Sequence, residues 1–242
     1  MKIATLELIE NSHKPDTTAD FNRLAPFYRW MECFTFGPFL QKCRLAFLSE
    51  TRCRKSALIL GDGDGRFAAQ LLSCDPQIEV EAVDASEAML HQLVRRAGPN
   101  AVRVRAHFAD ARRLSLPAGN FDLVATHFFL DCLTTAEVAS LASELHRRMA
   151  PGAVWLVSEF AIPDTLYGRL IASPLVSALY LAFRFLTGLS IRSLPDHREA
   201  LSEAGFMLSK QRKWLGGLLV SEMWACMTQI SAASSGAGIA PL

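Results

Sequence analysis

Three glycines alternate with two acids in Gly61-Asp62-Gly63-Asp64-Gly65, directly after the apolar run Ser56 to Leu60. Glycine lets the backbone turn at positive φ and lets a ligand come close where a Cβ would block it. The helix expected from Arg66 offers free N–H groups at its start. Gly63-x-Gly65-x-x-Ala68 therefore also satisfies the fingerprint of a dinucleotide site for NAD or FAD. Nineteen residues beyond Gly65 a second apolar segment, Glu79 to Val83, ends on Asp84. A carboxylate at a strand end accepts both ribose hydroxyls of an adenosine, whichever cofactor carries it. Asp and Ser are also good helix caps, so a capping role for Asp84 before the helix near Ser86 stands beside the ribose-binding one.

The elements that must hold these residues alternate along the middle of the chain. Strands are predicted at Ser56 to Leu60, Glu79 to Val83, Val102 to Ala106, Phe121 to Thr126 and Ala153 to Phe160, with helices at Arg66 to Cys74, Ser86 to Ala97 and Ala136 to Met149. This pattern implies a three-layer α/β/α fold around a mostly parallel sheet, which binds ligands beyond the carboxyl ends of its strands. Two amphipathic helices, broken near Gly37-Pro38, are expected between Asp20 and Glu50. A Leu, Phe and Tyr-rich insertion follows Phe160. Pro195-Asp196 then opens a helix that Gly205 ends, and Gly216-Gly217 joins two final strands, Phe206 to Trp214 and Leu218 to Met227. We read one domain: a loose segment 1–19, helices over 20–54, a core over 55–160, a cap over 161–194, the last helix and hairpin over 195–230, and a small-residue tail over 231–242.

The chain has 242 residues, 50% of them hydrophobic, and 25 Lys plus Arg against 24 Asp plus Glu. That balance excludes a disordered chain and a strongly basic nucleic-acid binder. The arginines between Arg95 and Arg113 lack the aromatic interleaving of a nucleic-acid platform and read as a solvated face. Six scattered cysteines form no C-x-x-C and no zinc spacing, so we expect free thiols, no metal and a cytoplasmic location. The first twenty residues lack the apolar core of a secretory signal.

Over about residues 55 to 160 several motifs in order resemble the class I S-adenosylmethionine-dependent methyltransferases. Gly61 to Gly65 is similar to the family's glycine loop, and Val83-Asp84-Ala85-Ser-Glu-Ala-Met89 to its acidic strand end and helix. Phe108-Ala-Asp110-Ala111 with Leu114 to Pro117 is similar to the third motif, Phe121-Asp122-Leu-Val to the fourth strand, and Met149-Ala-Pro-Gly152 to the turn before the fifth. The resemblance implies S-adenosylmethionine as cofactor, seven strands and an antiparallel last strand. By it, Asp84 holds the ribose, Ala85 and Met89 flank the adenine, Asp110 and Ala111 meet the adenine edge, and Gly61, Gly63 and Gly65 pass beside the methionine. Ile59 stands where the family usually has an acid two residues before the first glycine. The contact to the methionine amino group then falls to the loop, to Asp64 or, nearer the first turn, Asp62. Asp20-Phe-Asn-Arg-Leu-Ala-Pro-Phe-Tyr28 resembles the opening of the ubiquinone and menaquinone biosynthesis-like branch, which implies that Tyr28 lies over the cofactor; as an alternative, Tyr28 belongs to the core stripe of Phe21, Phe27 and Trp30.

After the fourth strand, Ala125-Thr-His127-Phe-Phe-Leu-Asp131-Cys132 occupies the place where the family sets residues facing the transferable methyl and the acceptor. His127 is the candidate base near neutral pH, with Asp131 orienting it or acting alone; structural roles for both are the alternative. In the insertion, Tyr167, Leu170, Ile171, Leu175, Tyr180, Phe183 and Phe185 suggest a wall for a small or lipid-like apolar acceptor, unless they only pack the cap onto the sheet. Arg169, Arg184 and Arg192 beside this apolar helix, within residues 166–191, also suit a resting contact on an anionic bilayer. Two other functions fit the same residues: an NAD-dependent oxidoreductase, and a protein that binds the cofactor without turnover.

Overall fold

The computed structural model describes residues 36, 38–113, 116–187 and 194–227; the first expected helix, Tyr28 and the C-terminal tail lie outside them. Its elements are α1 (Pro38–Arg44), β1 (Ser56–Leu60), α2 (Arg66–Cys74), β2 (Glu79–Asp84), α3 (Glu87–Ala97), β3 (Val104–Phe108), β4 (Phe121–His127), α4 (Thr135–Arg148), β5 (Met149–Phe160), α5 (Ser173–Thr187), α6 (His197–Glu203), β6 (Phe206–Trp214) and β7 (Leu219–Cys226). The strands form one seven-stranded sheet in the order β3-β2-β1-β4-β5-β7-β6. Pairings from β3 through β5 are parallel, and β7 runs antiparallel between β5 and β6.

Alternation along β1 builds both faces of the core. Ala57 and Ile59 pack on Phe67 and Leu71 of α2 and Leu93 of α3, while Leu58 and Leu60 join Val138, Leu141 and Leu145 of α4 and Leu201 of α6. A strand apolar on both sides belongs in the middle of a parallel sheet covered by helices. At its base the Asp122 carboxylate accepts the N–H groups of Lys55 and Ser56, at 2.8 and 3.0 Å, which clamps β4 to β1. The strand order reverses between β1 and β4, so a crevice opens at their carboxyl ends.

Three stretches differ from the sequence reading. β3 begins at Val104, two residues late, because a 3-10 turn covers Gly98–Arg103 and the Arg103 guanidinium is tied to the carbonyls of Leu72, Asp75 and Ile78. β5 starts earlier, at Met149, with an irregularity opposite Phe121 and Leu123. The cap folds as a π-helical turn, Gly168–Ala172, running into α5; Ala172 of the turn and Val176 of α5 are buried in one cluster with Phe36, Leu40 and Phe128.

Glu222 on β7 is the fully buried charge that fixes the far side of the sheet. It accepts bonds from His197 at 3.1 Å, Arg198 at 2.7 Å, Gln211 at 2.9 Å and the Trp224 indole at 3.0 Å. Burial alone would raise its pKa, but His197, Arg198 and Gln211 outweigh that and bring it down to about 2. Its contribution is therefore complete above its ordinary value of 4.5 and declines as pH falls toward 2. Replacing Glu222 with Ala leaves buried donors unpaired and should cost about 3–5 kcal/mol in urea unfolding at pH 7. A loss below about 1 kcal/mol would show that water takes over the carboxylate's bonds.

Candidate functional site

All three loop glycines sit at positive φ, with values of 65° for Gly61, 60° for Gly63 and 79° for Gly65. Their reasons differ. A Cβ on Gly61 would lie 2.4 Å from the Phe129 ring, and one on Gly65 would lie 2.5 Å from Cα of Leu93. Those two glycines let the loop press against the end of β4 and against α3. A Cβ on Gly63 would meet nothing within 4 Å, so Gly63 combines a left-handed turn with open space beside the backbone. The Gly61 N–H donates to Val83 O at 2.9 Å, which joins the tips of β1 and β2.

The two acids of the loop are put to separate uses. The Asp62 carboxylate turns inward and accepts the N–H groups of Phe67 and Ala68, at 3.3 and 2.9 Å, supplying the α2 cap that Gly65 lacks. Burial pushes its pKa up to about 6 against those bonds. Asp64 pairs with Arg66 at 3.2 Å and with Arg96 of α3 at 2.6 Å. Asp62, whose charge acts on Asp84, forms no salt bridge among the described residues, whereas Asp64 forms two.

Asp84 ends β2 with one carboxylate oxygen accepting the Ser86 N–H at 2.8 Å. Burial, reinforced by the neighbouring Asp62 charge, pushes its pKa up to about 7, although bonds from Ser86 and Gly63 N–H pull the other way. The cap of α3 is Ser86, which accepts from Met89 N at 3.3 Å, so the capping role weighed for Asp84 belongs to its neighbour. Ala85 is half-buried and Met89 buried on the same turn. The Ala109 N–H donates to Asp84 O at 3.1 Å and brings Asp110 and Ala111 to the same edge. Burial works against ionisation of Asp110, but Arg112, bonded through its N–H at 3.0 Å and its guanidinium at 2.7 Å, holds the carboxyl below its ordinary range. An adenosine fits this arrangement. Two desolvated carboxylates flank an open glycine, and an ionised one stands at the edge where an exocyclic amine would donate.

The tip of β4 departs from expectation. His127 is 3% exposed; its Nδ1 shares a hydrogen bond of 2.9 Å with Ser158 Oγ, and its ring meets Phe67 edge-on with centroids 4.4 Å apart. Burial, helped by the Arg44 charge, lowers its pKa to about 3. The imidazole is thus neutral and too weakly basic to take a proton near neutral pH, and Ser158, not Asp131, orients it. Nε2 has no hydrogen-bond partner among the described residues. Asp131 instead accepts from Cys132 Sγ at 3.5 Å, and burial raises its pKa to about 6. Burial and the Asp131 charge push Glu159 well above the carboxylate range, while its Oε1 accepts the N–H groups of Phe129 and Leu130 at 3.1 and 2.8 Å.

Three residues here escaped the sequence reading: Ser158, Glu159 and Arg44. Glu159 carried a signal, an acid closing an apolar strand just as Asp84 does, and Arg44 was a cation inside the apolar stripe of Leu40, Cys43 and Phe47. In the cap, Tyr167 and Leu175 pack on the cluster of Phe36, Phe128 and Phe160, but Leu170 and Ile171 are exposed and line no wall. The side chains of Tyr180, Phe183 and Phe185 lie outside the described residues.

Residues 57–152 match the family described as methyltransferase domain. Demethylmenaquinone methyltransferase of Thermus thermophilus is 34% identical over 145 residues, 59% of this chain and 65% of that protein. Malonyl-[acyl-carrier protein] O-methyltransferase of Halorhodospira halophila is 34% identical over 113 residues, 47% of this chain and 37% of that protein. The chain thus spans less than two thirds of the curated relatives it matches. Among solved structures, mitomycin 7-O-methyltransferase shares the fold with a TM-score of 0.64 at 15% identity, over 86% of this chain and 60% of that one. The N-methyltransferase NodS of Bradyrhizobium japonicum, in complex with S-adenosyl-L-homocysteine, does so at 0.51 and 13% identity, over 77% of this chain and 83% of that one. These matches favour a methyltransferase over the NAD reading of the same glycines.

The neutral state of His127 is directly measurable. Its imidazole NMR shifts should stay those of an uncharged ring from pH 8 down to pH 5, roughly two units above its depressed value. A titration midpoint near 6.5 would restore it as a base.

Proposed function

Residues 57–152 form a class I S-adenosylmethionine-dependent methyltransferase domain, and on that premise we propose that the chain moves the methyl group of S-adenosylmethionine to a small or lipid-like apolar acceptor. The observation that carries this reading is the Asp84 carboxylate beside the open turn at Gly63, at the sheet's crossover between β1 and β4. Asp84 takes the ribose hydroxyls, Ala85 and Met89 flank the adenine, and Asp110 with Ala111 receives its edge. Gly61, Gly63 and Gly65 line the methionine, whose amino group faces Asp62.

When bound, S-adenosylmethionine supplies an electrophilic methyl on a sulfonium that is already a good leaving group. The protein then has to orient the acceptor and exclude water. Neutral His127 serves as a hydrogen-bonding group toward this end of the site. Where the acceptor has a proton to lose, Asp131 is the base, held near pH 6 and backed by Glu159. The Phe36 and Phe128 rings, each with its centroid 5.2 Å from that of Phe160, support an apolar ring as acceptor. So does the similarity to demethylmenaquinone methyltransferases, and we take a reduced quinone-like ring as the acceptor class. No helix among the described residues is long and apolar enough to cross a membrane. Exposed Leu166, Leu170, Ile171 and Leu181 with Arg169 support a peripheral contact through which a lipid-dissolved acceptor arrives.

Asp84 must be ionised to accept both hydroxyls, and its free carboxyl holds a proton below about pH 7. Affinity for S-adenosylhomocysteine, measured by calorimetry, should therefore tighten about tenfold between pH 6 and pH 8. Asp84→Asn should weaken it about 10–100-fold and flatten the pH dependence. Unchanged affinity in the folded variant would remove Asp84 from the site. Methylated product from a reduced isoprenoid quinone precursor, followed by mass spectrometry, tests turnover. Tight binding with no product from any phenolic or quinol acceptor would favour a cofactor-binding protein without catalysis.

A further inference from the structure

A groove of about 510 Å³ lies between α1 and β6 and shares no lining residue with the glycine loop or the tips of β1, β2 and β4. Pro38, Gln41, Lys42 and Leu45 line it from the helical side, Arg212 and Trp214 from the strand. Lys210, Arg212 and Trp214 alternate onto one face of β6, and its two cations meet different partners. Lys210 is neutralised by Glu50 at 2.8 Å. Arg212, like Lys42 across the groove, forms no salt bridge among the described residues. Each of these two lies over an aromatic ring instead, Lys42 Nζ 5.4 Å from the centroid of Phe39 and Arg212 Cζ 5.3 Å from that of Phe47. A ring face holds a cation in place without cancelling its charge. Both side chains are exposed, so the groove presents two positioned positive charges to solvent.

Its other contacts narrow the kind of anion. Gln41 Oε1 is buried and has no hydrogen-bond partner among the described residues, which marks a place for a donor from outside. Bare phosphate at neutral pH answers the cations only, whereas the hydroxyls of a glycerol headgroup also donate to an amide oxygen. Pro38, Leu45 and Trp214 add an apolar margin that suits the glycerol and the start of an acyl chain. Half-buried Trp214 also packs on the cluster that contains Tyr167 and Leu175, so the groove is joined through it to the cap with its exposed Leu166, Leu170 and Ile171. A tryptophan between apolar packing and water is the residue type enriched where proteins meet a bilayer surface.

We propose that the groove between α1 and β6 seats the headgroup of an anionic glycerophospholipid, with Lys42 and Arg212 holding its phosphate, and thereby docks the cap on an anionic bilayer. The inference rests on the peripheral contact of the cap and gives it a lipid preference that apolar side chains alone do not supply.

The test is cosedimentation of the full chain with phosphatidylglycerol-containing and pure phosphatidylcholine vesicles. The wild type should prefer the anionic vesicles about 10–30-fold, the effect of two cations at a charged surface. Lys42→Gln combined with Arg212→Gln should remove that preference and leave the weaker binding to phosphatidylcholine as it was. Lys213→Gln deletes a neighbouring β6 charge that does not line the groove, and should leave the preference in place. If it weakens anionic binding as much as Arg212→Gln alone, the attraction belongs to the surface at large and the proposal falls. Excess inorganic phosphate at constant ionic strength should leave the protein on the vesicles; full release would make the groove a site for free phosphate and overturn the lipid assignment. Equal affinity of the wild type for both vesicles overturns the headgroup site alone, independent of whether any variant folds. A wild type that binds neither vesicle overturns the cap's membrane contact along with it.

Discussion

The closeness of the loop at Gly61 and Gly65 to its neighbours is the constraint from which the rest of the site follows. With Cβ positions 2.4 Å from the Phe129 ring and 2.5 Å from Cα of Leu93, a side chain at Gly61 would have to displace that ring and one at Gly65 would run into the backbone of α3. Because the loop cannot lift, Asp62 is driven inward onto the start of α2, and Gly63 is left as the outward bend over the crevice. Asp84 is then brought against the same turn by the Gly61 N–H bond to Val83. The carboxylates meet because the backbone is tight.

That tightness sets the electrostatics. Asp62, Asp84 and Asp131 all have pKa values raised by burial, while buried His127 is driven down. In each case the uncharged form is favoured, because desolvation outweighs the bonds and charges around the group. Glu222, fully buried and surrounded by four donors, shifts the opposite way. The contrast separates two kinds of buried acid in one sheet. Glu222 is offset by the charges of His197 and Arg198, whereas for the three aspartates desolvation outweighs the bonds they accept.

What could be read from the sequence was local. The glycine spacing, Asp84 at a strand end and the alternation of strands and helices depend on backbone chemistry within a few residues, and the seven-stranded sheet formed from those segments in the expected sense. What could not be read was set by partners distant in sequence. The state of His127 depends on Ser158, 31 residues away, and on the Arg44 charge from a different element. Periodicity identified Leu170 and Ile171 as apolar, yet the π-helical turn at Gly168–Ala172 rotates that segment's outer face to solvent. A wide helical turn shifts the stripe, and no residue type announces it.

The buried acids oppose folding of the free protein. A carboxyl with a raised pKa prefers its proton in the folded state, so below the ordinary value of 3.8 Asp84 costs nothing and above about 7 it carries its full desolvation penalty. At neutral pH part of the fold's stability is therefore held against a carboxylate whose bonds from Ser86 and Gly63 N–H do not offset its burial. Ligand binding and folding are then linked: whatever satisfies Asp84 and Asp62 also removes a term that destabilises the tips of β1 and β2. The cost is confined to those tips because the base of the same strands is clamped by Asp122, and the far side of the sheet by Glu222. The acids with raised pKa values at Asp62 and Asp84 thus sit at the carboxyl ends of the central strands, away from the clamps at Asp122 and Glu222.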